Sequence, residues 1–303
     1  MSDGQIVVSG LTKQYKNVRA VDNLSFTVEP GRVTGFLGPN GAGKTTTLRM
    51  LLNLVTATAG TATIGGQRYV DLKDPLRTVG AVLEASSAHK GRTGINHLRV
   101  ICAAAGFPRQ RADEVLATVG LTPAAKRKFK GYSLGMRQRL GIAAALLGDP
   151  KVLVLDEPAN GLDPEGIRWM RDLLKALAAQ GRTVLVSSHL LSEMQLLADD
   201  LVIIAAGKLV RQGTVDDVMN SMAHSAVVRV RTPQADVLTA ALTELKATVT
   251  TNGDGALLVG GVDAPGVGRA ALKAGVELHE LTMERPDLER VFLELTAGKA
   301  AIR

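Results

Sequence analysis

The stretch Val33-Thr34-Gly35-Phe36-Leu37-Gly38-Pro39-Asn40-Gly41-Ala42-Gly43-Lys44-Thr45-Thr46 decides how the rest of the chain is read. A short β-prone run ends at Gly38 and a helical run, TTTLRMLLNL, begins just after Lys44. Gly38 to Thr45 matches G-x-x-x-x-G-K-[ST] in the strand-loop-helix context that gives the pattern its meaning. Glycines let consecutive backbone N–H groups turn inward around anionic oxygens, and the helix N-terminus adds partial positive charge. In such a loop Lys44 reaches the β- and γ-phosphates of a nucleotide and the Thr45 hydroxyl ligates Mg²⁺. Gly38, Pro39, Asn40, Gly41, Ala42, Gly43, Lys44, Thr45 and Thr46 are therefore candidate nucleotide-binding residues.

Further along, Val152-Leu153-Val154-Leu155-Asp156-Glu157 is an apolar strand that ends in two carboxylates. In a parallel sheet the ends of neighbouring strands share one rim, where ligands bind. Asp156 is then placed to hold Mg²⁺, directly or through water, and Glu157 to polarise a water for in-line attack on the γ-phosphorus. A strand end of this kind is a solvated terminus when it stands alone; the phosphate loop turns it into a site.

Working outward, residues 1–30 alternate polar and apolar and predict antiparallel strands with one wet face. From VTGFLG onward, β-branched runs alternate with helical ones, as in KVLVLDEP before IRWMRDLLKALAAQG and TVLVSSH before LLSEMQLLA. Such alternation predicts an α/β fold with a mostly parallel core sheet. Residues 86–150 read as a helical insertion, and LVIIAAGKLVRQG as a closing strand pair. The expected division is a nucleotide-binding domain over 1–218 and an accessory domain over 219–303. In the latter, SAVVRVR, ADVLTAALTEL, ATVTT, ALLVGG, APGVGRAALKAG and VELHELTM predict β-α-β-β-α-β, a ferredoxin-like α+β pattern, with PDLERVFLEL as a closing helix.

Tyr132-Ser133-Leu134-Gly135-Met136-Arg137-Gln138-Arg139 precedes the second strand and resembles the signature motif of ATP-binding cassette (ABC) proteins, most often LSGGQ-x-QR. Asn160-Gly161-Leu162-Asp163 looks like the family's D-loop, and Ser188-His189 like its switch-histidine position. The resemblance covers about residues 5–215 with the motifs in order. It implies an ATPase that works as a head-to-tail dimer, each ATP lying between one phosphate loop and the partner's signature. On that reading Ser133, Gly135 and Asp163 face the partner's nucleotide, and His189 contacts the γ-phosphate and holds the attacking water with Glu157. The helix dipole behind Ser133 suits such a contact. Tyr15 resembles the aromatic that stacks on adenine, with a half-buried strand tyrosine as the alternative.

This chain departs from the common pattern in places. Leu134 and Met136 replace the signature's first Gly and its Gln, while the Ser and second Gly are kept. Where the family usually has a Gln near Mg²⁺, VGAVLE ends in Glu84, which could still meet the metal or its water but cannot donate a hydrogen bond. A surface glutamate is the other reading of that position. Glu84, SLGMRQR and the ERPDLERVFLEL tail together resemble bacterial drug- and antibiotic-resistance exporter ATPases.

Composition narrows the partners. With 46% hydrophobic and 21% charged residues the chain is globular, and its one Cys suits a reducing compartment. No apolar run is long enough to cross a bilayer and the first residues lack a signal-peptide pattern, so the membrane part is expected in a separate transmembrane permease. The chain is then expected at the cytoplasmic side of the cell membrane, paired with itself or a paralogous cassette.

The net charge is +7. From residue 220 onward there are nine basic and ten acidic residues, leaving 27 and 19 before it, so the excess belongs to the nucleotide-binding half. With 3% aromatics the chain offers few stacking platforms, and no nucleic-acid partner is expected. A soluble cassette ATPase serving DNA repair or translation is the alternative, but the superfamily's proteins of that kind carry a long coiled-coil insertion or two cassettes in one chain, and this sequence has neither. A phosphate-loop kinase is opposed by the signature and His189. Lys126-Arg127-Lys128 with Lys130 reads as a solvated loop, or as a surface for anionic lipid or an acidic membrane partner. Cys102 reads as packing, and His89, His97, His224 and His279 lack metal-ligand spacing.

Overall fold

The computed structural model describes residues 3–83, 88–220, 227–284 and 288–296. The chain separates into two compact units, one running to Val215 and the other over Asp216–Leu295.

In the first unit, β1 (Ile6–Tyr15), β2 (Val18–Val28) and β4 (Ala59–Ile64) form an antiparallel sheet in the order β2-β1-β4. Between them in sequence come β3 (Val33–Leu37) and α1 (Lys44–Leu51). A short α2 (Pro75–Thr78) leads into β5 (Val79–Val82). The helices α3 (Gly94–Ala105), α4 (Arg111–Thr118) and α5 (Leu134–Leu146) then precede β6 (Val152–Asp156). After α6 (Pro164–Ala179), β7 (Thr183–Ser188), α7 (Leu191–Leu197), β8 (Asp200–Ala205) and β9 (Lys208–Thr214), the unit ends.

The second sheet runs β5-β6-β7-β3-β8-β9, with every pair parallel except the last. All residues of β3, β6 and β7 are buried, as expected of central parallel strands covered on both faces. β3, the strand that feeds the glycine-rich loop, lies between β7 and β8. The core joins both sheets and α1 through Ile6, Leu24, Phe36, Leu48, Val154 and Leu185, with Phe26 stacked on Phe36 at 5.2 Å. Residues 88–150 contain no strand among the described residues, and three α-helices with two short 3-10 turns fill the stretch. Thr93 caps α3 by accepting from the Asn96 N–H, and Gly106 ends it in the left-handed region.

The second unit holds α8 (Val215–Asn220), β10 (Val227–Arg231), α9 (Ala235–Glu244), β11 (Thr248–Thr251), β12 (Leu257–Gly260), α10 (Ala264–Ala274), β13 (Glu280–Glu284) and α11 (Leu288–Thr296). Its sheet order is β11-β12-β10-β13, antiparallel throughout, which is the ferredoxin-like arrangement. Val228, Val230, Leu257 and Val259 pack against Leu238, Leu242, Val267 and Ala271.

One strand begins later than the sequence suggests. Of VELHELTM (276–283), only the last four residues lie in the strand, which runs on to Glu284, and the His279 N–H donates to the Arg231 carbonyl at its start. The preceding residues finish α10: Gly275 takes the left-handed cap at φ 67°, and the Val276 N–H donates back to the Ala271 carbonyl at 2.9 Å. Pro286, expected in the first turn of the closing helix, lies outside the described residues.

Candidate functional site

The loop after β3 is shaped by close backbone contacts. A Cβ at Gly38 would sit 2.7 Å from the Ile204 carbonyl oxygen, and one at Gly43 2.5 Å from that of Ala20. Gly43 also adopts φ 103°, which L side chains rarely take, and stands as N-cap of α1 without a side-chain cap. The first turn of α1 carries no acidic residue, and the N–H groups of Lys44, Thr45 and Thr46 have no acceptor among the described residues. Three orphan donors and the positive end of the helix dipole therefore converge where an anion would lie.

Lys44 is buried and lies back over the loop, donating to the carbonyls of Gly38 at 2.6 Å and Pro39 at 3.4 Å. Burial lowers its affinity for a proton, and the carboxylates of Glu157 and Asp156 act the other way. The Thr45 hydroxyl donates to Asp156 Oδ2 at 2.7 Å, which ties the loop to the end of β6.

The far side of Asp156 is held by a residue that sequence reading passes over. Ser187 Oγ donates to Asp156 Oδ1 and also accepts from the Glu157 N–H at 3.0 Å, while the Ser187 carbonyl takes the same N–H at 3.2 Å. A serine inside the β-prone run TVLVSS, two residues before His189, is the signal that could have pointed to it. Ser187→Ala is expected to cost about 1–3 kcal/mol, because buried Asp156 and the Glu157 N–H both lose a partner. Thermal unfolding should show a fall of several degrees, with slower ATP turnover, and Ser187→Thr should restore much of both.

Glu157 sits at φ 50°, in the left-handed region that side chains avoid. That turn accompanies an approach to the end of β7, where His189 Nδ1 lies 2.7 Å from Glu157 Oε2 and the His189 N–H donates to the same oxygen at 3.4 Å. His189 is half exposed and Glu157 less so, so the pair is reachable by solvent.

Gln138 is a second residue not singled out beforehand. It is buried on α5 and its Nε2 donates to the carbonyls of Asn160 at 3.2 Å and Glu157 at 3.5 Å. The helix that begins at the signature is thereby linked to the loop that carries Glu157.

Ser133 caps α5, its Oγ accepting from the Met136 N–H at 3.2 Å. Asp163 caps α6, accepting from the Gly166 N–H at 2.8 Å. The two caps border one groove, with Gly135, Gly161 and Leu162 between them. A Cβ at Gly135 would lie 3.4 Å from the Gly161 carbonyl, and Leu134 covers Gly161 closely enough to leave no room for a side chain there.

Among the chain's three tyrosines, Tyr132 is buried and donates to the Ala124 carbonyl at 2.9 Å, and Tyr69 packs on the core. Tyr15 is exposed at the end of β1 with Lys13 Nζ 4.8 Å from its ring centre. Glu84 and His224 lie outside the described residues. No group of three His, Cys, Asp or Glu that could hold a metal by itself occurs among the described residues. Thr45 and Asp156 instead offer two adjoining hard oxygen donors.

Comparison with known proteins bears directly on this geometry. Residues 21–160 match the family model described as ABC transporter, and residues 226–289 match a domain of unknown function. The uncharacterized ABC transporter ATP-binding protein YhcH of Bacillus subtilis is 39% identical over 95% of this chain and 95% of its own length. The daunorubicin/doxorubicin resistance ATP-binding protein DrrA of Streptomyces peucetius is 36% identical over 97% of this chain and 93% of its own. A solved ATP-binding subunit of an ABC transporter superposes with a TM-score of 0.65 at 27% identity, covering 72% of this chain and 93% of that one. With relatives aligned over nearly its whole length and the phosphate loop, paired carboxylates and signature in place, the chain belongs to the ATP-binding subunits of ABC transporters.

Proposed function

We propose that this chain drives an exporter of drugs, antibiotics or other lipophilic or peptide compounds by binding ATP at Gly38–Thr46 and hydrolysing it with Glu157 and His189. One observation carries the mechanism. The Thr45–Asp156 hydrogen bond at 2.7 Å and the Glu157–His189 contact at 2.7 Å tie the phosphate loop and an imidazole to two consecutive carboxylates at the end of β6.

On this reading the free N–H groups of Lys44, Thr45 and Thr46 and the Lys44 ammonium bind the β- and γ-phosphates. Lys44 leaves its two carbonyl acceptors for phosphate oxygens, exchanging neutral hydrogen bonds for charge-assisted ones. Glu157 accepts a proton from water poised for in-line attack, and His189 orients that water and the γ-phosphate. Tyr15, exposed on its strand end, stacks on adenine. Mg²⁺ supplies charge neutralisation on the phosphates; the Thr45 hydroxyl and Asp156 would hold it. Two hard oxygens suit an ion that completes its shell with water and phosphate oxygens.

ABC cassettes act as dimers with a transmembrane subunit. Here we assign Ser133, Gly135 and Asp163 to the nucleotide of the opposing cassette, a second copy or a paralogue. We assign residues 1–218 to the nucleotide-binding domain and 219–303 to an accessory domain, a boundary three residues beyond the division between the compact units after Val215. No helix among the described residues is long and apolar enough to cross a membrane. On this reading the permease is a separate subunit, and the chain sits peripherally on its cytoplasmic side. The export reading is supported by the drug-resistance relative, whose similarity extends through the accessory segment.

Expression together with the membrane protein encoded beside it tests this reading. The chain is expected to co-purify from membranes, with drug-stimulated ATPase activity. A chain that stays wholly soluble, or that binds nucleic acid at nanomolar, salt-sensitive affinity, would count for a soluble role on DNA or ribosomes.

A further inference from the structure

Backbone pairing gathers cations that are far apart in sequence. Residues 88–94 (AHKGRTG) run beside residues 125–131 (AKRKFKG). The Phe129 N–H donates to the Arg92 carbonyl at 2.8 Å, the Lys130 N–H to that of Lys90 at 3.0 Å, and the Gly94 N–H to that of Arg127 at 3.3 Å. Thr93 and Lys128 form an antiparallel bridge between them.

The result is a two-segment patch that carries Lys90, Arg92, Lys126, Arg127, Lys128 and Lys130, with no Asp or Glu in either segment. Arg92 is half-buried and the other five are exposed. None of the six side chains has an ion pair or a side-chain hydrogen bond among the described residues. Elsewhere in the same unit Arg19, Arg32, Arg68, Arg99, Arg111 and Arg182 are each matched to a carboxylate. Holding six like charges together without counter-charges costs self-repulsion, which an external anionic surface would relieve.

The chemistry discriminates among such surfaces. Four of the six are lysines, hydrated point charges on flexible stems, which suit a diffuse field better than bidentate recognition of one carboxylate. The one Phe, Tyr or Trp in either segment, Phe129, is buried, with the Arg137 guanidinium 5.2 Å from its ring centre, which leaves His89 as the sole exposed ring for a nucleobase to stack on in these segments. We propose that this patch binds anionic phospholipid headgroups and seats the cassette against the bilayer surface beside its permease. The proposal rests on the transporter reading, and its test uses lipid without permease, so that its failure leaves that reading standing.

The purified full chain is mixed with phosphatidylcholine vesicles, with or without about one third phosphatidylglycerol, and sedimented at low and high salt. Binding is expected only to the anionic vesicles and to weaken at high salt. Lys126→Gln/Lys128→Gln/Lys130→Gln should lower partitioning about a hundredfold, at the ~1 kcal/mol each surface cation contributes. Lys90→Gln/Arg92→Gln on the other segment should lower it about tenfold or more, which separates a two-segment patch from a single basic run. Neither variant touches the nucleotide site, so unchanged basal ATPase activity reports an intact fold. Equal binding to neutral vesicles, or anionic binding that survives the triple substitution, overturns the proposal. So does a chain that ignores both vesicles but loses permease co-purification in the triple variant, which would transfer the patch to an acidic segment of the permease.

Discussion

Lys44→Ala is expected to raise the dissociation constant for ATP by at least about a hundredfold, the loss that follows from removing one partner of a desolvated charge pair. The side chain is buried, and its ammonium is held by two main-chain carbonyls between the phosphate loop and the Asp156–Glu157 strand end. Its removal should cost the fold little, since the burial penalty on the cation disappears together with its hydrogen bonds. Nucleotide binding and thermal unfolding of the same preparation separate the two effects. A variant that melts near the parent temperature and no longer binds ATP is the expected result; retained tight binding would contradict the role given to the loop.

Glu157→Gln should leave ATP binding intact and lower turnover by about two to four orders of magnitude, the range for loss of a positioned general base. The substitution is nearly isosteric, and an amide oxygen can still accept from the His189 N–H, now 3.4 Å from the carboxylate. What it loses is the capacity to take a proton from water. Because hydrolysis is the step that would release the nucleotide sandwich, the variant should accumulate as an ATP-bound dimer, visible as a doubling of mass in solution. Hydrolysis at the parent rate would remove Glu157 from the base role.

Much of this site is legible in the sequence because it consists of contiguous motifs. Gly38 to Thr45, Asp156-Glu157, SLGMRQR and Ser188-His189 each report a local backbone shape or a strand end, and strand ends of a parallel sheet share a rim. What escapes is whatever depends on which strands become neighbours. Ser187 reads as one more residue of an apolar strand, yet pairing of β6 with β7 sets Asp156 beside it. Gln138 reads as part of a signature, and only helix packing brings its amide to the carbonyls of Glu157 and Asn160. The left-handed turn at Glu157 carries no residue-type signal, since Glu is not a residue that favours it.

The resemblance picks Tyr15 out of the three tyrosines, and the structure leaves it exposed while Tyr132 is buried and Tyr69 packs on the core. The short β13 shows the reverse error, a β-prone run partly consumed by a helix cap. By itself, then, the amino-acid sequence determined the α/β class, the phosphate loop and the kinship of the chain, because these rest on short-range spacing and alternation. Only the tertiary structure decided how Asp156 and Glu157 are held, that Tyr15 stays exposed while Tyr132 is buried, and that Lys90 and Arg92 join the 126–130 run in one patch. Those outcomes depend on hydrogen bonds and burial between segments distant in the chain, which no local pattern encodes.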